Sequence, residues 1–245
     1  CTQPLELWQI QGTGDTANCF DDRIITTENN VVTVISRQGF FVQTLADFSD
    51  GDPNTSDGLF VLTNRFPGNW VQVGDIISID GRVDEEFETS VIVAPSQGRL
   101  TIVGNTDLPE PFDLLSIDLS DNGGASAPLE RYEGMYVGVT DAFVTAPTNR
   151  FNEFGISLTG ERAFREAGVE LDVNPDYAEF DIPFWDLNLE VVEVDMGETA
   201  TEILQVPAGS LATATGGLTY NFSDYQIFAD AVVVVMPESV NQAVR

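Results

Sequence analysis

Short runs of β-branched and aromatic residues, each bounded by Gly, Asn, Asp or Pro, follow one another along the whole chain. No long apolar stripe with the 3.6-residue period of a helix interrupts them. This pattern predicts an all-β fold, because many short strands with regular turn signals are typical of barrels and sandwiches. The predicted strands are residues 31–36, 39–44, 58–63, 76–83, 89–94, 99–103, 135–144, 155–159, 189–194, 211–218 and 225–235. Short helical candidates are residues 161–167 and, as a turn, residues 174–180.

A weak internal repeat indicates two similar modules. Residues 71–83 (VQVGDIISIDGRV) align with residues 206–218 (VPAGSLATATGGL), so that Gly74 meets Gly209 and Gly81 meets Gly216. Each segment reads as a glycine-containing turn that feeds a strand. We therefore predict two tandem OB-like β-barrels, with an N-terminal arm and a long acidic insertion, residues 165–186, in the second barrel. The predicted boundaries are an arm at 1–19, a first barrel at 20–104, a linker at 105–129, a second barrel at 130–236 and a tail at 237–245.

The composition excludes several classes of function. The sequence has no His, and all ten basic residues are Arg. It therefore has no imidazole base, no His–metal site, no Schiff-base lysine and no P-loop lysine. The net charge of −30 repels the phosphates of nucleic acids, so nucleic acid is not an expected partner. The longest uncharged apolar run, residues 231–236, is too short to span a bilayer.

The loop between the strands predicted at 39–44 and 58–63 is rich in carboxylates. Ca²⁺ takes six to eight oxygen ligands, and alternate loop side chains with backbone carbonyls can converge on one ion. The sequence departs from the EF-hand pattern. One interpretation of the loop is a hairpin that is stabilised by Ca²⁺ in another way. The other is a solvated loop whose Asp and Asn side chains cap turns. The candidate metal ligands are Asp47, Asp50, Asp52, Asn54 and Asp57.

The two cysteines, Cys1 and Cys19, lie close together in the sequence. A disulfide between them fits an exported protein and would tie down the N-terminal arm. Acylation of Cys1 as in a lipoprotein, or two free thiols, are the alternatives. The sequence starts at Cys1 with no signal peptide before it, which is typical of a processed product. We therefore expect an exported protein.

Six segments resemble the non-catalytic OB-fold-like region of secreted bacterial nucleases of the endonuclease/exonuclease/phosphatase superfamily. The resemblance implies the fold and an extracellular setting. Nuclease activity is not transferred with it, because the nuclease domain of those proteins follows the β region and needs His. The segments are residues 10–15 (IQGTGD), 39–61, 73–83 (VGDIISIDGRV), 129–137 (LERYEGMYV), 149–164 and 217–228 (GLTYNFSDYQIF).

These observations lead us to expect a non-catalytic extracellular or cell-surface structural protein. We expect it to be stabilised by Ca²⁺ and to assemble with copies of itself into a fibre or array. At least one of its two tails is expected to pack against another copy; these tails are the arm with Leu5, Leu7, Trp8 and Ile10 and the segment at residues 237–245. The alternatives are the substrate- or nucleic-acid-binding region of a secreted nuclease and an adhesin-type module that binds glycans or surfaces.

Overall fold

The structure is a computed structural model, which describes residues 4–13, 20, 22–86, 89–119, 128–160, 190–199, 201–221 and 224–236. It is nearly all β, as the sequence predicts. The one α-helix of the described residues is α1 (Leu7–Gln11). The strands are β1 (Ile24–Ile35), β2 (Gly39–Thr44), β3 (Gly58–Leu62), β4 (Asp75–Glu86), β5 (Thr89–Val93), β6 (Leu100–Asn105), β7 (Phe112–Asp113), β8 (Tyr136–Ala146), β9 (Glu153–Ser157), β10 (Val191–Asp195), β11 (Leu211–Asn221) and β12 (Asp224–Val235).

The first barrel closes through β1 to β5. Strand β1 pairs antiparallel with β4 along residues 24–31 and with β2 along residues 30–35. A bulge between Thr27 and Asn30, where Asn29 has a φ of 62°, bends β1 so that it can pair with both β4 and β2. Strand β3 pairs antiparallel with β2 and parallel with β5, and β5 returns to β4. Strand β6 adds to the outer edge of β4.

The second barrel repeats this topology. Strand β8 pairs with β9 and β11, β9 with β10, β10 in parallel with β12, and β12 with β11. Its first strand is also bent by a bulge, at Asp141, where φ is 54°. Strand β7 is added in parallel to β8. Both barrels therefore have the OB-like strand order, and the prediction of two tandem OB-like barrels is confirmed.

The predicted internal repeat is the turn and fourth strand of each barrel. Gly74 and Gly209 open β4 and β11 with φ values of 90° and 85°, a conformation that glycine adopts without strain. Gly81 and Gly216 lie where these strands cross close to the fifth strand. A Cβ on Gly81 would lie 2.2 Å from the Ile92 side chain, and one on Gly216 would lie 2.3 Å from the Phe228 carbonyl oxygen. The alignment therefore reflects a structural equivalence.

The N-terminal segment belongs to the first barrel. Leu7 and Ile10 on α1 are fully buried in the apolar core formed by residues such as Phe40 and Ile77. The backbone of Leu5 bridges to Thr27 on β1. Residues 4–13 thus fill a site in their own chain, which corrects the expectation that this arm seeks the surface of another copy. The C-terminal tail, residues 237–245, lies outside the described residues.

The predicted strands correspond to β1–β6 and β8–β12, with small differences at their ends. Strand β1 begins seven residues earlier than expected, because its polar first half, at residues 24–30, pairs with β4. Helix α1 and the two-residue strand β7 were not predicted. The helical candidates at 161–167 and 174–180 and the acidic insertion lie outside the described residues. Among the described residues, no helix is long and apolar enough to cross a membrane.

Candidate functional site

Two glycines bring the backbones of the two barrels into direct contact. A Cβ on Gly58, at the start of β3, would lie 2.2 Å from the backbone nitrogen of Met135 and 2.2 Å from the carbonyl carbon of Gly134. A Cβ on Gly134 would lie 2.4 Å from the backbone nitrogen of Leu59. No other residue type fits at either position without moving the backbone. We call this contact the barrel joint.

Side-chain hydrogen bonds hold the barrel joint. The Ser56 hydroxyl donates to the carbonyl oxygen of Glu133 at 2.6 Å, and the Gln11 amide donates to the same oxygen at 3.3 Å. The backbone N–H of Tyr136 donates to the Gln43 side chain at 2.9 Å. Because these bonds are buried or half-buried and run from the first barrel to the second, they fix the orientation of one barrel on the other.

An aromatic cluster continues the contact beside the barrel joint. The Phe41 ring lies 4.8 Å from the Phe60 ring and 5.8 Å, edge to face, from the Phe228 ring of the second barrel. Gly217 lies against Phe41, since a Cβ there would be 2.4 Å from the ring. The three rings therefore span the boundary between the barrels.

A cleft of about 410 Å³ opens between the barrels above this aromatic cluster. Its volume is in the range of small-molecule sites. Both barrels contribute to its walls, so neither would form it alone. The interbarrel cleft is lined by Ser36, Gln38, Phe60, Leu62, Asn64, Glu86, Thr89, Val91, Glu198, Thr219, Tyr220, Asn221 and Phe228.

The cleft lies on the surface with which OB folds bind ligands. That surface consists of the second and third strands with the loops after the first and fourth strands. In the first barrel, Phe60 belongs to the third strand, Gln38 to the loop after the first, and Glu86 and Thr89 flank the connection after the fourth. Tyr220, at the end of β11, lies at the corresponding position of the second barrel, near the end of its fourth strand.

The chemistry of the lining is aromatic and polar with a negative charge. Glu86 and Glu198 supply carboxylates, while Gln38 and Asn221 supply amides. None of the described residues that line the cleft carries a positive charge. These described residues can therefore accept and donate hydrogen bonds and cover an apolar face, but they offer no cation to a phosphate.

A buried carboxylate, Asp195 at the end of β10, lies three residues before Glu198, which lines the cleft. The Asp195 carboxylate accepts a hydrogen bond from the Gly197 N–H at 2.5 Å. Burial, followed by the charges of Glu153 and Glu198, raises the pKa of Asp195 to about 6 despite that hydrogen bond. Asp195 therefore titrates in a range where an ordinary Asp is fully charged.

The structure places the predicted metal ligands in a loop that hydrogen-bonds to itself. The Asp50 carboxylate accepts from the backbone N–H of Asp52 at 3.0 Å, and the Asp52 carboxylate accepts from the backbone N–H of Asn54 at 2.9 Å. Asp57 accepts from a serine hydroxyl at 2.6 Å, and Asp47 lies in a 3₁₀ turn. This is the turn-capping arrangement that was the alternative to a cation site.

The described residues contain no group of three or more acidic or Cys side chains with the geometry of a metal site. Asp50 nevertheless lies close enough to raise the pKa of Asp57, after burial, which raises it most. The Ca²⁺ site in the hairpin stays a prediction, and so does the disulfide, because Cys1 and Cys19 lie outside the described residues.

The sequence predicted the strand that carries Phe60, but not the place of this residue in a site. Phe40 and Phe41 are fully buried, while half-buried Phe60 reaches the cleft. Glu198 and Tyr220 carried no local signal, because they gain significance only when the second barrel is packed on the first. The repeat could have located Tyr220, since this residue lies near the end of the fourth strand of the second barrel.

Comparisons with known proteins cover mainly the second barrel. The fold defines a tandem OB-barrel protein, and residues 125–238 match a family model described as a domain of unknown function, DUF8508. The matched residues contain β8 to β12. A search of curated proteins gives no match.

Proposed function

We propose that the protein is a non-catalytic extracellular binding module that holds an uncharged oligosaccharide in the interbarrel cleft. The observation that carries this proposal is the position of the cleft on the OB ligand surface, with an aromatic and hydrogen-bonding lining whose described residues carry no positive charge. OB folds bind oligosaccharides as well as oligonucleotides on this surface. The absence of His and Lys from the sequence supports a role without catalysis.

The lining matches the chemistry of a sugar. The faces of sugar rings are apolar and pack on aromatic rings, which Phe60 and Tyr220 provide. Sugar hydroxyls donate to carboxylates, here Glu86 and Glu198, and exchange hydrogen bonds with amides such as Gln38. An oligonucleotide would instead bring phosphates to two carboxylates in a chain of net charge −30.

Titration of the protein with a panel of neutral oligosaccharides, followed by NMR and calorimetry, tests this proposal. We expect at least one oligosaccharide to shift the resonances of cleft residues. The double variant Gln38→Ala, Asn221→Ala should lower its affinity about tenfold, as expected for loss of one or two hydrogen bonds. Gln97→Ala, at an exposed position outside the cleft, is the matched control. Binding of a single-stranded oligonucleotide instead, or unchanged affinity in the double variant, would refute the proposal.

Self-assembly into a fibre or array is a second candidate function, and two exposed strand edges favour it. Strand β6 pairs with β4 alone among the described residues, and its Ile102 and Val103 are 52% and 63% exposed. Val233 near the end of β12 and Met236 just after it are exposed, and beyond residue 228 the described structure pairs β12 only with β11. Uncharged open edges of this kind pair readily with other strands.

Light scattering and electron microscopy of concentrated protein, with excess Ca²⁺ and with chelator, test the assembly. Ca²⁺ is included because the negative charge of the chain opposes association. We expect oligomers that Val103→Lys or Val233→Lys abolishes, since lysine on an edge strand blocks pairing. A monodisperse monomer under all conditions contradicts this candidate.

A further inference from the structure

A buried acid, Glu133, lies at the barrel joint next to Thr89, which lines the interbarrel cleft. Glu133 is 1% exposed, and within the described part of the chain neither of its carboxylate oxygens has a hydrogen-bond partner. Its own carbonyl oxygen is the acceptor of the joint bonds from Ser56 and Gln11. An ionised carboxylate in such a place is costly, because no hydrogen bond from the described residues replaces the lost hydration.

The neighbours of this side chain oppose its ionisation. Burial raises the pKa of Glu133 well above its ordinary value, and the charges of Glu130 and Glu85 raise it further. The Thr89 hydroxyl and the Ser90 backbone lower the pKa of Glu133, but neither completes a hydrogen bond to its carboxylate oxygens.

The groups that face Glu133 come from both barrels. Glu130 precedes it on a 3₁₀ turn and accepts a hydrogen bond from the Tyr225 hydroxyl of β12 at 2.7 Å. The Tyr225 ring packs on Tyr220 of β11, with 4.9 Å between the ring centroids. Glu85 approaches from β4, and Thr89 and Ser90 approach from β5.

We propose that Glu133 makes the barrel joint proton-dependent, so that its protonated form holds the barrels together and its ionised form loosens them and weakens ligand binding in the cleft. The part that concerns ligand binding rests on the proposed function. The link is structural, because Thr89 and Tyr220 line the cleft and are joined by a hydrogen bond of 2.5 Å from the Thr89 hydroxyl to the Tyr220 carbonyl. Thr89 therefore belongs to both sites.

The direction of the effect follows from proton linkage. A carboxyl that holds its proton more tightly in the closed joint than in the open one favours the closed joint at low pH. The closed joint is then lost progressively as the pH rises above the ordinary pKa of a glutamic acid. One proton changes the ratio of closed to open joint by at most about tenfold per pH unit.

Hydrogen exchange measured between about pH 5 and about pH 8 in the presence of chelator tests the joint directly. The reporters are two amides bonded across the barrels, Tyr136 N–H to Gln43 and Arg37 N–H to the Glu198 carbonyl oxygen. Their protection, after correction for intrinsic rates, should fall severalfold per pH unit in the wild type. It should stay nearly constant in Glu133→Gln, which keeps the shape of the protonated acid.

Two controls separate the joint from general effects of pH. Glu110→Gln makes the same chemical change at an exposed position and should behave as the wild type. The Ala94 N–H, bonded to the Leu62 carbonyl oxygen within the first barrel, should show little of this pH dependence. An equal loss of protection in wild type and Glu133→Gln would overturn the proposal. So would protection restored at high pH by excess Ca²⁺ in the wild type alone, since a cation would then be the natural occupant.

Oligosaccharide binding provides the second readout. The affinity of the wild type should fall as the pH rises, and that of Glu133→Gln should not. The exchange experiment needs no ligand, so it decides the joint even if no oligosaccharide binds and the proposed function fails. A pH-dependent joint with pH-independent affinity would overturn the link between the joint and the cleft.

Discussion

Replacement of Gly58 by alanine should separate the two barrels. The added Cβ would lie 2.2 Å from the backbone of the segment at Gly134 and Met135. Carbon and nitrogen atoms do not approach this closely without a bond, and no side-chain rotation can relieve the overlap because both neighbours are backbone atoms. The barrels must therefore move apart at the joint.

The expected loss of stability follows from two contributions. Overpacking a dense site costs roughly 1–3 kcal/mol. Displacement of the backbone also breaks the hydrogen bonds from Ser56 and Gln11 to the Glu133 carbonyl oxygen, which contribute about 1 kcal/mol each. We expect a total of about 3–5 kcal/mol, which corresponds to a fall in Tm of at least about 6 °C for a chain of this size.

Thermal and urea unfolding of the Gly58→Ala protein provides the measurement, with small-angle scattering to detect an opened arrangement. Gly98→Ala is the matched control, because a Cβ there meets no atom within 4 Å. It should unfold within about one degree of the wild type, as surface substitutions usually do. If Gly58→Ala is as stable as Gly98→Ala, the two barrels do not approach each other this closely in solution. The interbarrel cleft, which depends on that contact, would then not form as described.

Three further predictions concern single side chains. Asp195→Asn should raise the urea midpoint at about pH 8 and not at about pH 4, because folding raises the pKa of Asp195 from 3.8 to about 6 and the charged form therefore destabilises the fold as the pH rises. If the hairpin binds Ca²⁺, excess Ca²⁺ should raise Tm over chelator and Asp50→Asn should remove the difference; equal melts would leave Asp50 with its turn-capping bonds alone. Mass spectrometry should find Cys1 and Cys19 joined in a disulfide, and an acylated Cys1 with a free Cys19 thiol would replace that prediction.

Local sequence information predicted most of the barrels. Period-2 runs and turn residues located the strands because strand formation depends on side-chain alternation and on the residues that end it. The repeat of Gly74 with Gly209 was readable for a similar reason, since a turn with positive φ demands glycine wherever it recurs. Helix α1 was missed because its five residues are too few for a helical period.

Long-range packing could not be read in this way. Ser56 and Glu133 are 77 residues apart, and no local pattern distinguishes them from other polar residues in turns. The hairpin carboxylates show the opposite difficulty. Asp50 and Asp52 form a clear local pattern, but oxygen-rich loops that bind cations and loops that cap their own turns have the same composition.

The sequence by itself determined the β fold, the duplicated barrel and the excluded chemistry, because strand periodicity, glycine turns and the lack of His and Lys are properties of single segments or of the whole composition. Only the tertiary structure decided which surfaces meet. The glycine contact between Gly58 and Gly134, the burial of Glu133 and the walls of the cleft arise when the second barrel packs on the first. The environment of each of these residues is set by atoms far away in the chain, and it is that environment which gives an ordinary glycine or glutamate its role.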